Sequence, residues 1–196
     1  SPVQHRDSKT NALVDVGADY RNAKSFPWQL NMHLEPEDIR SSDIVLQVGK
    51  FLGTIQGVEL HQDKIFTIIS ELYSNALEHG VLRLQSELKS TPYGFDEYYR
   101  LRSKRLECLS DDQFIQIKMA YARGGRKNPS GEQISPSTLS IVMTDSGDGF
   151  DYLSNNASQQ DNNNTHGRGL SLLRSFCDSL TYSNSGKTVT AIYSFQ

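Results

Sequence analysis

Cysteine is nearly absent: Cys108 and Cys177 are the only two in 196 residues, and they form no Cys-x-x-Cys pair. That excludes a disulfide framework and a zinc ribbon, and it points to a reducing, cytoplasmic setting. Long apolar runs are missing too. No stretch approaches the roughly 18 residues that span a bilayer, and residues 1–11 are polar without a signal-peptide core. The chain begins with Ser1 rather than Met and is read as a piece of a longer one. Nor does one charge dominate: 20 basic against 23 acidic side chains give a formal net charge of -3, which argues against a strongly basic nucleic-acid binder. His5, His33, His61, His79 and His166 are scattered and make no zinc ligand set. What is present is 36% hydrophobic and 22% charged side chains, enough for one sizeable core in a chain too short for two.

Residues 1–25 carry no sustained periodicity and read as a linker or N-terminal arm, which leaves 26–196 as the folded domain. Phe26, Trp28, Leu30, Met32 and Leu34 alternate with polar or small residues, the period of a strand with one buried face. Glu35-Pro36-Glu37-Asp38 then opens a helix, with proline early and acids in the first turn. Ile39, Ile44, Val45, Val48, Leu52 and Ile55 extend its apolar side as far as Gly57. A second helix is expected from about His61 to His79, with core stripe Ile65, Ile68, Ile69, Leu72 and Ala76 and a stop at Gly80. The charged, aromatic stretch that follows reads as helical and broken at Thr91-Pro92-Tyr93-Gly94. Strands return at Ile115–Tyr121 and Leu139–Thr144, joined by a hairpin loop at Gly124–Pro129. A helix from Leu170, with Leu173, Phe176 and Leu180 inward, and a last strand through Val189, Ala191, Tyr193 and Phe195 complete the pattern. About five strands and three or four helices predict an α+β, two-layer sandwich: a mixed, mostly antiparallel sheet with helices on one face.

Three short segments carry chemistry. In Glu71-Leu72-Tyr73-Ser74-Asn75-Ala76-Leu77-Glu78-His79-Gly80, the residues Glu71, Asn75 and His79 are successive i+4 neighbours and form one polar ridge beside the core stripe. A carboxylate there can accept a proton, and an amide oxygen one turn later can ligate a hard cation such as Mg²⁺. In Asp145-Ser146-Gly147-Asp148-Gly149-Phe150, a carboxylate at a strand end can accept a hydrogen bond from an exocyclic amine, and the glycines admit a flat ring. The third segment, His166-Gly167-Arg168-Gly169-Leu170, puts glycine-rich backbone at a helix start, where unpaired N–H groups receive anions. Each alone has an ordinary structural reading: a solvated helix face, an Asp-Gly turn, a flexible loop.

Taken together and in this order, the segments resemble the N, G1 and G2 boxes of the GHKL ATP-binding superfamily, and within it the anti-sigma-factor serine kinases. The matching elements are E-x-x-x-N-A-x-x-H at Glu71, Asn75, Ala76 and His79, and D-x-G-x-G-F at Asp145, Gly147, Gly149 and Phe150. G-x-G-L at Gly167, Gly169 and Leu170 and G-x-T-V at Gly186, Thr188 and Val189 complete the set, and the likeness runs from Phe26 to Phe195.

The resemblance implies roles. Glu71 becomes the general base that activates an acceptor serine, and Asn75 the Mg²⁺ ligand. Asp145 becomes the acceptor for the adenine amine, supported through water by Thr188, with Gly147, Gly149 and Phe150 around the ring. His79 joins the ATP contacts. Gly167, Arg168, Gly169 and Leu170 end an ATP lid whose remainder is the polar segment 154–165. A helical insert at 81–113 departs from compact members and is similar to kinase-like modules at the end of bacterial response regulators that also carry a protein phosphatase domain. The implied function is an ATP-dependent serine kinase that phosphorylates an anti-sigma-factor antagonist or holds a sigma factor, with a homodimer expected. A non-catalytic, ATP-regulated binding module for the same partners is the alternative. The ATP-binding half of a sensor histidine kinase fits less well, since no phosphoacceptor-type hairpin precedes the first box.

Overall fold

The computed structural model describes residues 26–55, 57–85, 88–89, 91–125, 128–132, 135–150 and 167–195. The expected arm at 1–25, the polar segment 154–165 and His166 lie outside them. Five strands form one sheet in the order β1-β2-β3-β5-β4: β1 (Trp28–Leu34), β2 (Ile115–Ala122), β3 (Ser137–Asp145), β4 (Ser179–Ser183) and β5 (Thr188–Phe195). Every pairing is antiparallel, so the parallel component allowed for from sequence is not present in this sheet.

Alternation along the strands sorts the two faces. Ile115, Ile117 and Met119 of β2 and Leu139, Ile141 and Met143 of β3 are at most 1% exposed, and register places Ile117 opposite Met143 and Met119 opposite Ile141. Their intervening neighbours Gln116, Lys118, Ser140 and Val142 lie on the other face. The inner face is covered by α3 (Gln62–Asn75), whose Ile65, Ile68, Ile69 and Leu72 are the predicted stripe and are all buried. On either side of α3 pack α2 (Ile44–Gly53) and a helix numbered here α5 (Gly167–Phe176), the latter through fully buried Leu173. Each such buried aliphatic side chain stabilises the fold by about 1.5–3 kcal/mol.

Several boundaries differ from expectation, each for a local reason. The first helix is two: α1 (Pro36–Ser41) stops at Ser42, and Asp43 caps α2 by accepting from the Leu46 amide at 3.0 Å. The Thr91-Pro92-Tyr93-Gly94 break is a beginning. Thr91 accepts from the Gly94 amide at 3.0 Å, proline takes the first turn, and α4 runs Pro92–Glu107. α5 begins at Gly167, three residues before Leu170, and ends at Phe176. Leu180 therefore belongs to β4, a strand too short and too polar to stand out, and not to the last helix. Most consequential, the second helix does not stop at Gly80. Beyond Asn75 it widens into a π-turn, Ala76–Val81, in which the Leu82 amide reaches back five residues to the Leu77 carbonyl at 2.8 Å.

Candidate functional site

The π-turn and the end of β3 are what bring the first two motifs together. β3 delivers Asp145 on the inner face, opposite Ile115 in register, with its amide donating to the Lys187 carbonyl at 3.0 Å. The next amide, Ser146, donates to Phe114 at 3.1 Å, and the Ser146 hydroxyl accepts from the Phe114 amide at 2.9 Å. The carboxylate is thus held at a strand end pinned on both sides. Gly80 comes down on it from the π-turn so closely that a Cβ at Gly80 would lie 2.4 Å from Asp145 Oδ1. Gly147 backs it from the other side; a Cβ there would lie 2.5 Å from the Gly80 carbonyl oxygen and 2.7 Å from Asp145 Oδ1. Only residues without a side chain permit that approach.

Among the described residues, Asp145 receives a single fixed donor inside this nest, the Gly147 amide at 2.8 Å. Burial pushes its carboxyl up to about 6, against the pull of that amide and of the Lys187 charge. A half-buried, under-satisfied carboxylate of this kind is an acceptor awaiting a donor.

It opens into a cavity of about 670 Å³, in the range of small-molecule sites. Glu71, Asn75, His79, Asp145, Gly149, Phe150, Gly169 and Leu170, all singled out from sequence, line it together. The polar ridge of α3 forms one wall. His79 continues it on the π-turn, donating from Nδ1 to the Leu84 carbonyl at 2.8 Å. At the opposite end α5 starts directly against Glu71: a Cβ on Gly169 would meet Glu71 Oε2 at 2.2 Å. The positive end of a helix dipole therefore faces that carboxylate. Phe150 is half exposed and meets the Tyr182 ring edge-on at 5.1 Å.

Four of the expected residues stand differently. Gly147 lies behind Asp145 and shapes it rather than the cavity wall. Thr188 pairs with Thr144 in register, and the two hydroxyls meet at 3.0 Å on the face opposite Asp145, so the expected support of Asp145 by Thr188 is not what the sheet provides. Its neighbours Lys187 and Val189 line the cavity instead. For Gly167 and Arg168 the backbone is described as the first residues of α5.

The lining also includes residues that pattern reading passed over: Glu78, Met143, Tyr182, Lys187, and from the insert Lys89 and Phe95. Tyr182 was hidden in the unrecognised strand β4. Glu78 sits within the first motif, where its alternation with Asn75 and His79 gives no sign of an ion-pair hub. Among the described residues, no three His, Cys, Asp or Glu side chains gather into a metal-binding group, and no helix is long and apolar enough to cross a membrane.

Comparison with known proteins adds one finding. A family model described as the histidine kinase-like ATPase domain matches residues 37–193, four-fifths of the chain, and the chain belongs to that family. No curated protein matches it. The match spans the π-turn, the Asp145 nest, the start of α5 and the insert alike. ATP is the ligand a domain of this family implies. The residues fit it: a flat, glycine-bounded slot with a carboxylate acceptor at its end, and an amide and a carboxylate one helical turn apart further along.

Proposed function

We propose that the chain is an ATP-dependent protein serine kinase of the anti-sigma-factor type, acting in the cytoplasm on an anti-sigma-factor antagonist. The observation that carries this reading is the lining of one cavity by Asp145, Asn75 and Glu71 together. Asp145 accepts the exocyclic amine of adenine. Asn75, the last residue of α3 before the π-turn, would offer its amide oxygen to a hard cation. Mg²⁺, when bound there, neutralises phosphate charge. Glu71, at the far end of the same ridge and against the start of α5, takes the proton from the acceptor hydroxyl. Phosphoryl transfer needs little covalent assistance from the protein, so these three groups act by positioning and charge.

The partner surface is proposed around α1 and α4, which pack against each other and so form one continuous face. Tyr93 is 90% exposed there, and Phe95 and Tyr99 are about half exposed, residue types that anchor interfaces. The sigma factor is the second proposed partner, and a homodimer the proposed assembly.

The test is Glu71→Gln, which preserves shape while removing the base. With radiolabelled ATP and candidate antagonists, the variant should still bind nucleotide and antagonist yet lose transfer by ~10²–10⁴-fold. Unaltered protein that captures an antagonist or a sigma factor tightly, and transfers no phosphate to any antagonist, would instead establish the ATP-regulated binding module.

A further inference from the structure

The cavity described above carries an imbalance of charge. Among its described lining residues are three carboxylates, Glu71, Glu78 and Asp145, against two ammonium groups, Lys89 and Lys187. A site so lined repels a polyanion unless its cations are placed where the negative charge of the ligand falls. Lys187 belongs to the Asp145 end, where its charge acts on that carboxyl. Lys89 lines the same cavity from the insert. Its Nζ donates to Glu78 Oε2 at 3.1 Å, and Glu78 follows Asn75 by three residues on the π-turn.

Lys89 is not the only partner of Glu78. The Glu78 carboxylate also accepts from the Tyr98 hydroxyl, and Arg102 Nε reaches its other oxygen at 3.1 Å. Burial alone would raise Glu78, but the hydrogen bonds from Tyr98 and Lys89 and the charges of Lys89 and Arg102 outweigh it and hold the carboxyl below its ordinary range. The group is 13% exposed, an anion already gripped by the insert. Lys89 itself is 31% exposed, and its ammonium lies 4.1 Å from the centroid of the Tyr98 ring. An ammonium has three N–H donors, of which Glu78 takes one. The Tyr98 ring and the Glu78 carboxylate fix where the charge sits, and Lys89 is part of the cavity lining.

We propose that Lys89 is a ligand-binding residue: its ammonium, held at the cavity wall by Glu78 and Tyr98, receives an anionic oxygen of the phosphate chain of the nucleotide. The insert is then part of the binding site and not only an appendage to it, with Phe95 as its second contribution to the wall. This rests on the nucleotide reading of the cavity. It also gives the Tyr98–Glu78–Arg102 cluster a purpose, which is to aim a cation from outside the three sequence motifs.

Calorimetry of the full chain with Mg²⁺-ATP and with adenosine tests it. Lys89→Met should weaken ATP binding on the order of tenfold and leave adenosine affinity unchanged, which also reports that the variant is folded. Lys89→Arg should retain most of the ATP affinity, and Lys104→Met, on α4 and outside the cavity lining, all of it. Equal losses for ATP and adenosine, or no loss for either, would overturn the proposal. So would recovery of ATP affinity when Glu78→Gln is added to Lys89→Met, because Lys89 would then only neutralise Glu78. If the unaltered chain binds neither ligand, the nucleotide reading itself falls and takes this inference with it.

Discussion

Asp145→Asn separates the cost of the nest around Asp145 from its use. In the folded chain the Asp145 carboxyl is raised from 3.8 to about 6 by burial. At 1.36 kcal/mol per tenfold change in proton affinity, the displacement is worth roughly 3 kcal/mol at most. Partial solvation through the open cavity lowers that to on the order of 1–2 kcal/mol. The sign follows from proton counts. Between pH ~4 and ~6 the folded state holds a proton that the unfolded state has released, so this group's contribution to stability is complete below pH ~4 and is lost as pH rises through ~6. Asparagine keeps an oxygen for the Gly147 amide and does not ionise. Urea unfolding of the ligand-free chain at intervals from pH 4 to 8 should therefore show the variant matching the parent at pH 4 and exceeding it by ~1–2 kcal/mol at pH 7, since other titrating groups cancel in the difference. Nucleotide affinity should move the opposite way: parental affinity falls as pH drops below ~6, whereas the variant binds more weakly at pH 7 and shows no such dependence. A stability difference that is flat across this range, or a variant less stable at pH 7, would refute the account of Asp145 as a desolvated acceptor.

Other substitutions probe the same construction. Gly80→Ala places a methyl 2.4 Å from Asp145 Oδ1, and should cost about 1–3 kcal/mol of stability together with nucleotide affinity, both measurable by thermal denaturation with and without ATP. Gly169→Ala collides with Glu71 Oε2 at 2.2 Å, so phosphate transfer should fall far more than nucleotide binding, as single-turnover transfer assays and calorimetry would reveal. Tyr98→Phe removes a buried donor to the Glu78 carboxylate and should lower stability by about 1.5–3 kcal/mol in urea; an unchanged midpoint would mean that Lys89 and Arg102 suffice.

Where side-chain period and local chemistry coincide, this fold was readable. The alternation at Ile115–Tyr121 and Leu139–Met143 needs nothing beyond itself to declare a half-buried strand, and the stripe Ile65, Ile68, Ile69 and Leu72 declares the face of α3. Prediction failed where tertiary structure overrode a local rule. Gly80 after a long amphipathic helix signals a stop, yet the chain continues through it as a π-turn because Gly80 must reach Asp145, a residue on a strand 65 positions later. β4 escaped because Ser179–Ser183 offers only Leu180 and Tyr182 as inward residues, and its stability comes from pairing with β5. Thr188 is one strand position from Val189, which lines the cavity, and a one-residue offset turns a side chain to the opposite face.

The candidate site shows the same division with a sharper consequence. Its motif residues are close in sequence within each segment, and spacing alone sets Glu71 and Asn75 on one ridge. Lys89 and Phe95 have no such signature, because nothing in their neighbourhood is periodic; they reach the cavity from the insert, Lys89 just ahead of α4 and Phe95 in its first turn. That helix is anchored at a distance, by Arg105 donating to the Leu82 and Arg83 carbonyls at 2.8 Å each, while Gln113 beyond it reaches the Val81 carbonyl at 2.9 Å. Together with the grip on Glu78, these bonds fasten the insert to two residues of the π-turn, Glu78 and Val81, and to Leu82 and Arg83 just after it. A segment that reads as an insert between motifs is therefore bonded to the same turn that carries Gly80 against Asp145.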